Sequence, residues 1–555
     1  MQTRLRALII IFTILITGIT GKAFYEQIIM GPTYASKSLE IRTKQISAEE
    51  YVRGEIFDRN GISLTDAAYR PTVVVFPKLV LEPERLLARL KEELPHMSIS
   101  EKAIKPYLKN DTKIYPEAFI IRVENDMDAL QKISAWNEPG VAILPYKSRY
   151  GLDSLAVHLI GYMGYKNNGY EPQGMTGIEG RFDDLLKGSR PGKIITPITD
   201  ARNNILEGLG YRLIDLEKDE KRSDIYLTID SRIQRITEEV LVEKSITKGS
   251  VVVLDIDTGN ILAAATRPIY DQNNLENTMG FKDNQIERVI DYKVYPGSIF
   301  KVITAAAALE KGAVTLDTKF VCTGSSPDFH VTCPREHGEI TFSEAMEQSC
   351  NVTFVQVGLS LGREVLEEFI IEKFGFKPIE NKKLDSPEAI AHGIIGQEIF
   401  EVTPLEIANM MATIARDGYH QEMVDPWKSR LIMAIRNKQT MESYIEIPQY
   451  KQIYSKETAQ KLKKVLTATN QRGSGRRAWI EGYGSAGKTG TPQANQAGDY
   501  MAWYTGYAPI EKPKYAVAVL VEEIQGLTKG DLQGGYYAGP IFKEILERIL
   551  NTVEH

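Results

Sequence analysis

The sequence predicts an α+β protein, an antiparallel sheet with helices on both faces over residues 225–555, behind a mixed α/β module. Three observations carry this. Gly249–Asp255 and Ile261–Thr266 are short apolar runs either side of the turn Asp257-Thr258-Gly259-Asn260, which reads as a hairpin. Val302–Leu309 is nearly all Ala and aliphatic, as a buried helix requires. Tyr515–Val521 is a further strand, and Phe542–Leu550 has helical spacing. Strands at both ends with helices between give one sheet covered by helices.

The elements before it follow in order. Arg4 and Arg6 precede an uncharged run, Ala7–Gly21, which Lys22 closes. With Arg6 and Lys22 reaching to the two interfaces, residues 1–25 read as a short cytoplasmic tail and a single transmembrane signal anchor. The rival, a cleaved signal peptide, lacks its Ala-x-Ala site. The positive-inside rule then sends the rest of the chain outside the membrane, as an extracytoplasmic, single-pass protein. Residues 26–220 alternate strand-like runs (Thr72–Phe76, Ala118–Val123) with charged amphipathic stretches, and Gly174–Gly180 and Arg190–Lys193 mark turns. The charged run Leu216–Asp224 reads as a linker. A net charge of −6 gives no basic excess for nucleic acid.

Three short patterns in the C-terminal part carry chemistry. In Ser298-Ile-Phe-Lys301, the i, i+3 spacing places Lys301 on the face of Ser298, and Pro296-Gly297 marks a helix start. Free N–H groups there suit a developing oxyanion, and a lysine with a lowered pKa can take the serine's proton. The pattern alone is weak: Ser245-Ile-Thr-Lys248 and Ser485-Ala-Gly-Lys488 also fit it, but neither has a rigid helix behind it. Ser349-Cys350-Asn351 offers a hydroxyl and an amide to one site. Lys488-Thr489-Gly490-Thr491 alternates a cation and a hydroxyl on a strand edge, where glycine lets an extended substrate approach. In this order the trio matches the signature of serine β-lactamases and penicillin-binding proteins.

With these residues the chain resembles the class B penicillin-binding proteins, and the resemblance runs nearly its whole length. Arg53-Gly54-Glu55-Ile56-Phe57-Asp58-Arg59-Asn60-Gly61, Arg149-Tyr150, His158-Leu159-Ile160-Gly161-Tyr162 and Gly177-Ile178-Glu179-Gly180 look like boxes of that family's non-catalytic module. Gly396-Gln397, Thr403-Pro404-Leu405 and Gly506-Tyr507-Ala508-Pro509 match its catalytic part, whereas Trp503-Tyr504-Thr505 depart from the simpler Phe-Val-Gly run often found there. The resemblance implies an elongated pedestal of the dimerisation type, then a penicillin-binding, β-lactamase-like transpeptidase domain. It implies acylation of Ser298 by the D-Ala-D-Ala end of a peptidoglycan stem peptide or by a β-lactam, with Lys301 as base. Ser349 passes a proton, Asn351 binds the substrate amide, and Lys488 and Thr489 hold its carboxylate beside Gly490 and Thr491. Partners are then the membrane and wall-synthesis proteins, and no cofactor is required. A D,D-carboxypeptidase and a non-catalytic β-lactam-binding scaffold or sensor are the alternatives.

Cys322, Cys333 and Cys350 all fall near the second pattern. Outside the membrane a disulfide is the first expectation, and Cys322–Cys333 would be worth roughly 3 kcal/mol. Cys333–Cys350 would instead restrain the loop of Ser349 and Asn351. Free thiols are a second reading. A structural zinc set of Cys322, Cys333, His337 and Cys350 is a third, at wide and irregular spacings.

Overall fold

A computed structural model of the chain describes residues 2–25, 46–65, 68–76, 80–95, 118–121, 123, 126–151, 153–165, 172–197, 211–216, 219, 221–273, 275, 285–437, 441–443, 449–493 and 500–553. Within these, the side chains of residues 2–11, 14, 211 and 441–443 lie outside the description. The chain forms two compact units, each built from several segments. Residues Gln2–Phe24 are helical, where the anchor is expected. Part of that stretch lies outside the described side chains, and among the described residues no helix is long and apolar enough to cross a membrane.

The first unit comprises Met1–Val52, Ala67–Arg149 and Gly188–Asp219. Tyr69–Val75 pairs antiparallel with Phe119–Ile121 on one side and Val141–Lys147 on the other. Alternation along the central strand sends Val73 and Val75 into a core with Leu86 and Leu90 of helix Pro83–Glu93 and Leu130 and Ile133 of helix Met127–Ala135. Val74 and Phe76 go to the opposite face, with Leu144 and Ile195.

The second unit holds the expected sheet. Its strands are β1 (Ile246–Asp255), β2 (Ile261–Arg267), β3 (Ala486–Gly490), β4 (Ala502–Ala508) and β5 (Tyr515–Ile524). They lie in the order β2-β1-β5-β4-β3, all antiparallel, so β3 is an edge strand. Its longer helices are α1 (Ser231–Glu243), α2 (Lys301–Glu310), α3 (Asn351–Glu367, broken at Gly362), α4 (Pro404–Ala415), α5 (Lys456–Gln471) and α6 (Ala538–Thr552). Val251, Val253, Val517, Val519 and Tyr504 face one core with Ile233 and Val240 of α1 and Ile541, Phe542 and Ile545 of α6. The alternate residues Val252, Leu254, Ala516, Ala518 and Leu520 are buried too, and α4 packs on β1, β4 and β5. A strand covered on both faces has to be apolar at every position, which is why these runs are continuous rather than alternating.

Residues Arg53–Asp66 and Tyr150–Lys187 also belong to this unit. Of the four boxes read from the sequence as an N-terminal module, all but Arg149 fall in this unit. Arg53 Nε donates to Glu179 Oε2 at 2.8 Å, and Arg53 Nη1 to Asp183 Oδ1 at 2.6 Å. Tyr150 Oη donates to Glu179 Oε1 at 3.1 Å. Asp58 accepts from the Ser231 hydroxyl at 2.8 Å and its N–H at 3.1 Å. Gly54 lies so close to Ser223 that a Cβ would sit 1.7 Å from its carbonyl oxygen, so only glycine fits.

Arg53 and Glu179 are 2% and 0% exposed, so removing the guanidinium takes a cationic partner and its hydrogen bonds from a fully buried carboxylate. Arg53→Ala is therefore expected to destabilise this unit by about 3–5 kcal/mol, read as a lowered midpoint in thermal unfolding. An unchanged midpoint would show that the pair carries no net stability.

Candidate active site

Ser298 lies in a 3-10 turn, Gly297–Phe300, that runs directly into α2 at Lys301. In a 3-10 turn the side chains at i and i+3 eclipse, so Ser298 and Lys301 share a side more closely than in an α-helix. The turn rests on a close backbone contact. Gly297 N donates to Gly396 O at 3.0 Å. Both glycines have positive φ (57° and 76°), and a Cβ on Gly396 would meet Gly297 O at 2.2 Å. The Gly396-Gln397 pair thus shapes the serine turn from a distant part of the chain.

The second pattern lies at the start of α3. Ser349 has a left-handed backbone, φ 59°, uncommon for a non-glycine residue. That bend turns its carbonyl and hydroxyl to Lys301, whose ammonium donates to Ser349 O at 2.8 Å, Ser349 Oγ at 3.3 Å and Asn351 Oδ1 at 2.5 Å. Asn351 is oriented by its own amide, which donates to Thr332 O at 2.6 Å. From the sheet edge, Lys488 Nζ donates to Ser349 Oγ at 2.9 Å and to Thr489 O at 3.1 Å. One hydroxyl therefore sits between two ammonium groups.

Both lysines are fully buried. Burial lowers the Lys301 pKa to about 8, against a small opposing pull from the Cys333 and Cys350 sulfurs. Lys488 is also pushed down, first by burial and then by the charge of Lys301. Among the described residues the Ser298 hydroxyl has no hydrogen-bond partner. Lys301 shares a face with Ser298 but makes no hydrogen bond to it, because the ammonium is turned to Ser349 and Asn351.

The remaining predicted residues line the same strand. Gly490 lies against the serine turn, where a Cβ would meet Pro296 O at 2.7 Å. Thr489 Oγ1 donates to Ser474 Oγ at 3.1 Å, and Thr491 Oγ1 accepts from Gly534 N at 3.2 Å. Ser474 was missed from the sequence. Its N–H donates to Glu347 O at 3.0 Å, and Arg472 clasps the Glu347 carboxylate at 2.8 and 2.9 Å. This ties the end of α5 to the turn before Ser349. The only local hint was the Gly473-Ser474-Gly475 run.

The competing Ser-x-x-Lys patterns are disposed of by their surroundings. Ser485 is buried and donates to Ala478 O at 2.7 Å, while Lys248 pairs with Glu522 at 3.5 Å. The Trp503-Tyr504-Thr505 departure is accommodated by satisfied polar groups. Trp503 Nε1 donates to Tyr295 O at 3.1 Å, Tyr504 Oη to Asn470 Oδ1 at 2.8 Å and Thr505 Oγ1 to Val517 O at 3.0 Å.

The expected disulfide is not formed, and all three cysteines are free. Cys322 Sγ is 3.8 Å from Cys333 Sγ, which is 3.7 Å from Cys350 Sγ, far beyond the bonded distance of about 2.05 Å. Three sulfurs converge on one place, and this arrangement favours no single pair among them.

Residues 249–547 match the penicillin binding protein transpeptidase domain, and residues 49–213 the penicillin-binding protein dimerisation domain. Stage V sporulation protein D of Bacillus subtilis is 30% identical, over 94% of this chain and 81% of its own length. The probable peptidoglycan D,D-transpeptidase PenA of Neisseria meningitidis is 26% identical, over 99% of this chain and 93% of its own. Among solved structures, penicillin-binding protein 3 from Mycobacterium, complexed with aztreonam, has the same fold at a TM-score of 0.62 and 21% identity, covering 92% of this chain and 97% of that one. The D,D-transpeptidase domain of an Eggerthella lenta peptidoglycan glycosyltransferase superposes at a TM-score of 0.59 and 23% identity, covering 91% and 99%. The catalytic trio, the sheet that presents it and the two matched domains agree, and the chain belongs to the penicillin-binding protein transpeptidase family, in its class B form.

Proposed function

We propose that the chain is a peptidoglycan D,D-transpeptidase whose acyl-enzyme forms on Ser298. The observation that supports this most is the Ser349 hydroxyl held between the Lys301 and Lys488 ammonium groups, beside the serine turn. A stem peptide ending in D-Ala-D-Ala lies along the free edge of β3, its terminal carboxylate facing Lys488, Thr489 and Thr491, and its amide on Asn351. Gly490 leaves room for that backbone. Lys301 in its neutral form takes the Ser298 proton as Oγ bonds to the carbonyl carbon between the two alanines. The N–H groups of Ser298 and Thr491 receive the oxyanion. The C–N bond then breaks, and the departing D-alanine amine takes its proton through Ser349. The amine of a second stem peptide attacks the ester carbonyl, the bond from Ser298 Oγ to that carbon breaks, the amine's proton returns to Ser298 Oγ, and the two strands are left cross-linked. A β-lactam enters by the same first step, its ring amide opening onto Ser298.

The uncharged run Ala7–Gly21 between Arg6 and Lys22 supports a single-pass anchor, with both units outside the cell membrane and membrane proteins of wall synthesis as partners.

Labelled penicillin is expected to add at one residue, and Ser298→Ala to abolish the adduct; labelling that survives would remove Ser298 as nucleophile. Cross-linked muropeptides from lipid-linked substrate would establish the amine acceptor, while trimmed, uncross-linked stems would assign a carboxypeptidase instead. A base must be neutral to act, and Lys301 loses its proton as pH rises through about 8. The acylation rate should therefore climb about tenfold per pH unit below that value and level off above it. A flat profile from acid to alkaline pH would exclude Lys301 as the base.

A further inference from the structure

Four potential metal ligands meet next to the active site. The ligand atoms of Cys322, Cys333, His337 and Cys350 all lie within 4.8 Å of one another. The two neighbouring sulfur pairs are 3.8 and 3.7 Å apart, and Cys322 Sγ is 3.3 Å from His337 Nδ1. A tetrahedral zinc ion, with Zn–S about 2.3 Å and Zn–N about 2.0 Å, demands edges of roughly 3.8 Å between sulfurs and roughly 3.5 Å from sulfur to nitrogen. The three edges measured, 3.8, 3.7 and 3.3 Å, are close to those of such a tetrahedron, and the sulfurs are well beyond the bonded distance of about 2.05 Å in a disulfide.

A second observation bears on the state of the sulfurs. Cys333 Sγ accepts from Asn351 N at 3.2 Å and Val352 N at 3.5 Å. Cys350 Sγ accepts from Thr353 N at 3.4 Å and Thr353 Oγ1 at 3.2 Å. Three of these donors are the N–H groups of the first turn of α3, which make no bond within the helix, and hydrogen bonds of this kind favour the thiolate that a metal requires. Cys322 and Cys350 are fully buried among Ile340, Ala345 and Val352.

We infer that Cys322, Cys333, His337 and Cys350 bind one zinc ion, and that this ion fixes the loop carrying Ser349 and Asn351. Three thiolates and an imidazole are a soft donor set suited to zinc rather than magnesium or calcium. Four protein ligands leave no position for water, so the site is structural. Its ligands come from the end of strand Lys319–Cys322, from the segment after strand Val331–Thr332, and from the cap of α3. Because Cys350 is the residue between Ser349 and Asn351, a bond to its sulfur holds both functional neighbours. The metal assignment stands independently of the transpeptidase reading.

The full chain, purified without chelator, is expected to carry about one zinc per chain. The double variant Cys322→Ser, Cys333→Ser should lose it. Since that variant can fail to fold, the wild-type chain stripped of zinc and reloaded with cobalt(II) provides the second readout: visible bands of tetrahedral cobalt and near-ultraviolet thiolate charge-transfer bands. A wild-type chain that takes up neither metal overturns the site. In that event one thiol titrating in denaturant identifies a disulfide, and three identify plain thiols. Removal of zinc should also slow penicillin acylation by about 10–100-fold, reversibly on reloading. An unchanged rate in a chain shown to be metal-free would overturn the positioning role while leaving the metal site intact.

Discussion

Two ammonium groups buried side by side are the constraint around which the catalytic unit is arranged. Taking one such ion out of water costs several kcal/mol even after relaxation, and a like charge nearby adds to it. The protein answers with oxygen acceptors: Ser349 O and Oγ and Asn351 Oδ1 around Lys301, Ser349 Oγ and Thr489 O around Lys488. Each acceptor needs a rigid support. The left-handed backbone of Ser349 and the edge strand β3 supply it, and the apolar packing of the sheet against α4 and α6 holds them. The strain is stored where the chemistry uses it, since two crowded cations are each more ready to give up a proton.

Much of this was legible in the sequence. Continuous apolar runs announced strands covered on both faces, and the Ala-rich stretch after Ser298 became a helix with every residue from Lys301 to Leu309 buried. The motif residues were legible because their spacing is itself the chemistry. What could not be read were relations between distant segments. Nothing near Ser474 announces that its N–H reaches Glu347, and nothing near Gly396 announces that it lies against Gly297. The disulfide expectation came from compartment and count, which say which residues are available and nothing about how many converge on one point.

The cysteine cluster and the catalytic loop share a residue position in the strict sense. Ser349 and Asn351 face the lysines, and Cys350 between them faces the opposite way, toward Cys333. The first turn of α3 serves both sides, with the Asn351 side chain turned to Lys301 and the N–H groups of Asn351, Val352 and Thr353 turned to the sulfurs. One short segment is thereby clamped from both directions, which explains how a loop residue such as Ser349 can hold an unfavourable backbone conformation.

The interleaving of the two units bears on how the protein is made and handled. Arg53, Asp58, Tyr150 and Glu179 come from segments far ahead of the sheet, yet they complete the unit to which the sheet belongs. A fragment cut at the charged run near residue 220 would keep every catalytic side chain and lose these four. Ser231 would be left without its Asp58 partner, and the backbone at Ile225 and Tyr226 without the strand Ile56–Phe57 that pairs with it. During synthesis the same feature imposes an order: the segments holding Arg53 and Glu179 emerge first and have to wait for the sheet that makes up the remainder of their own unit.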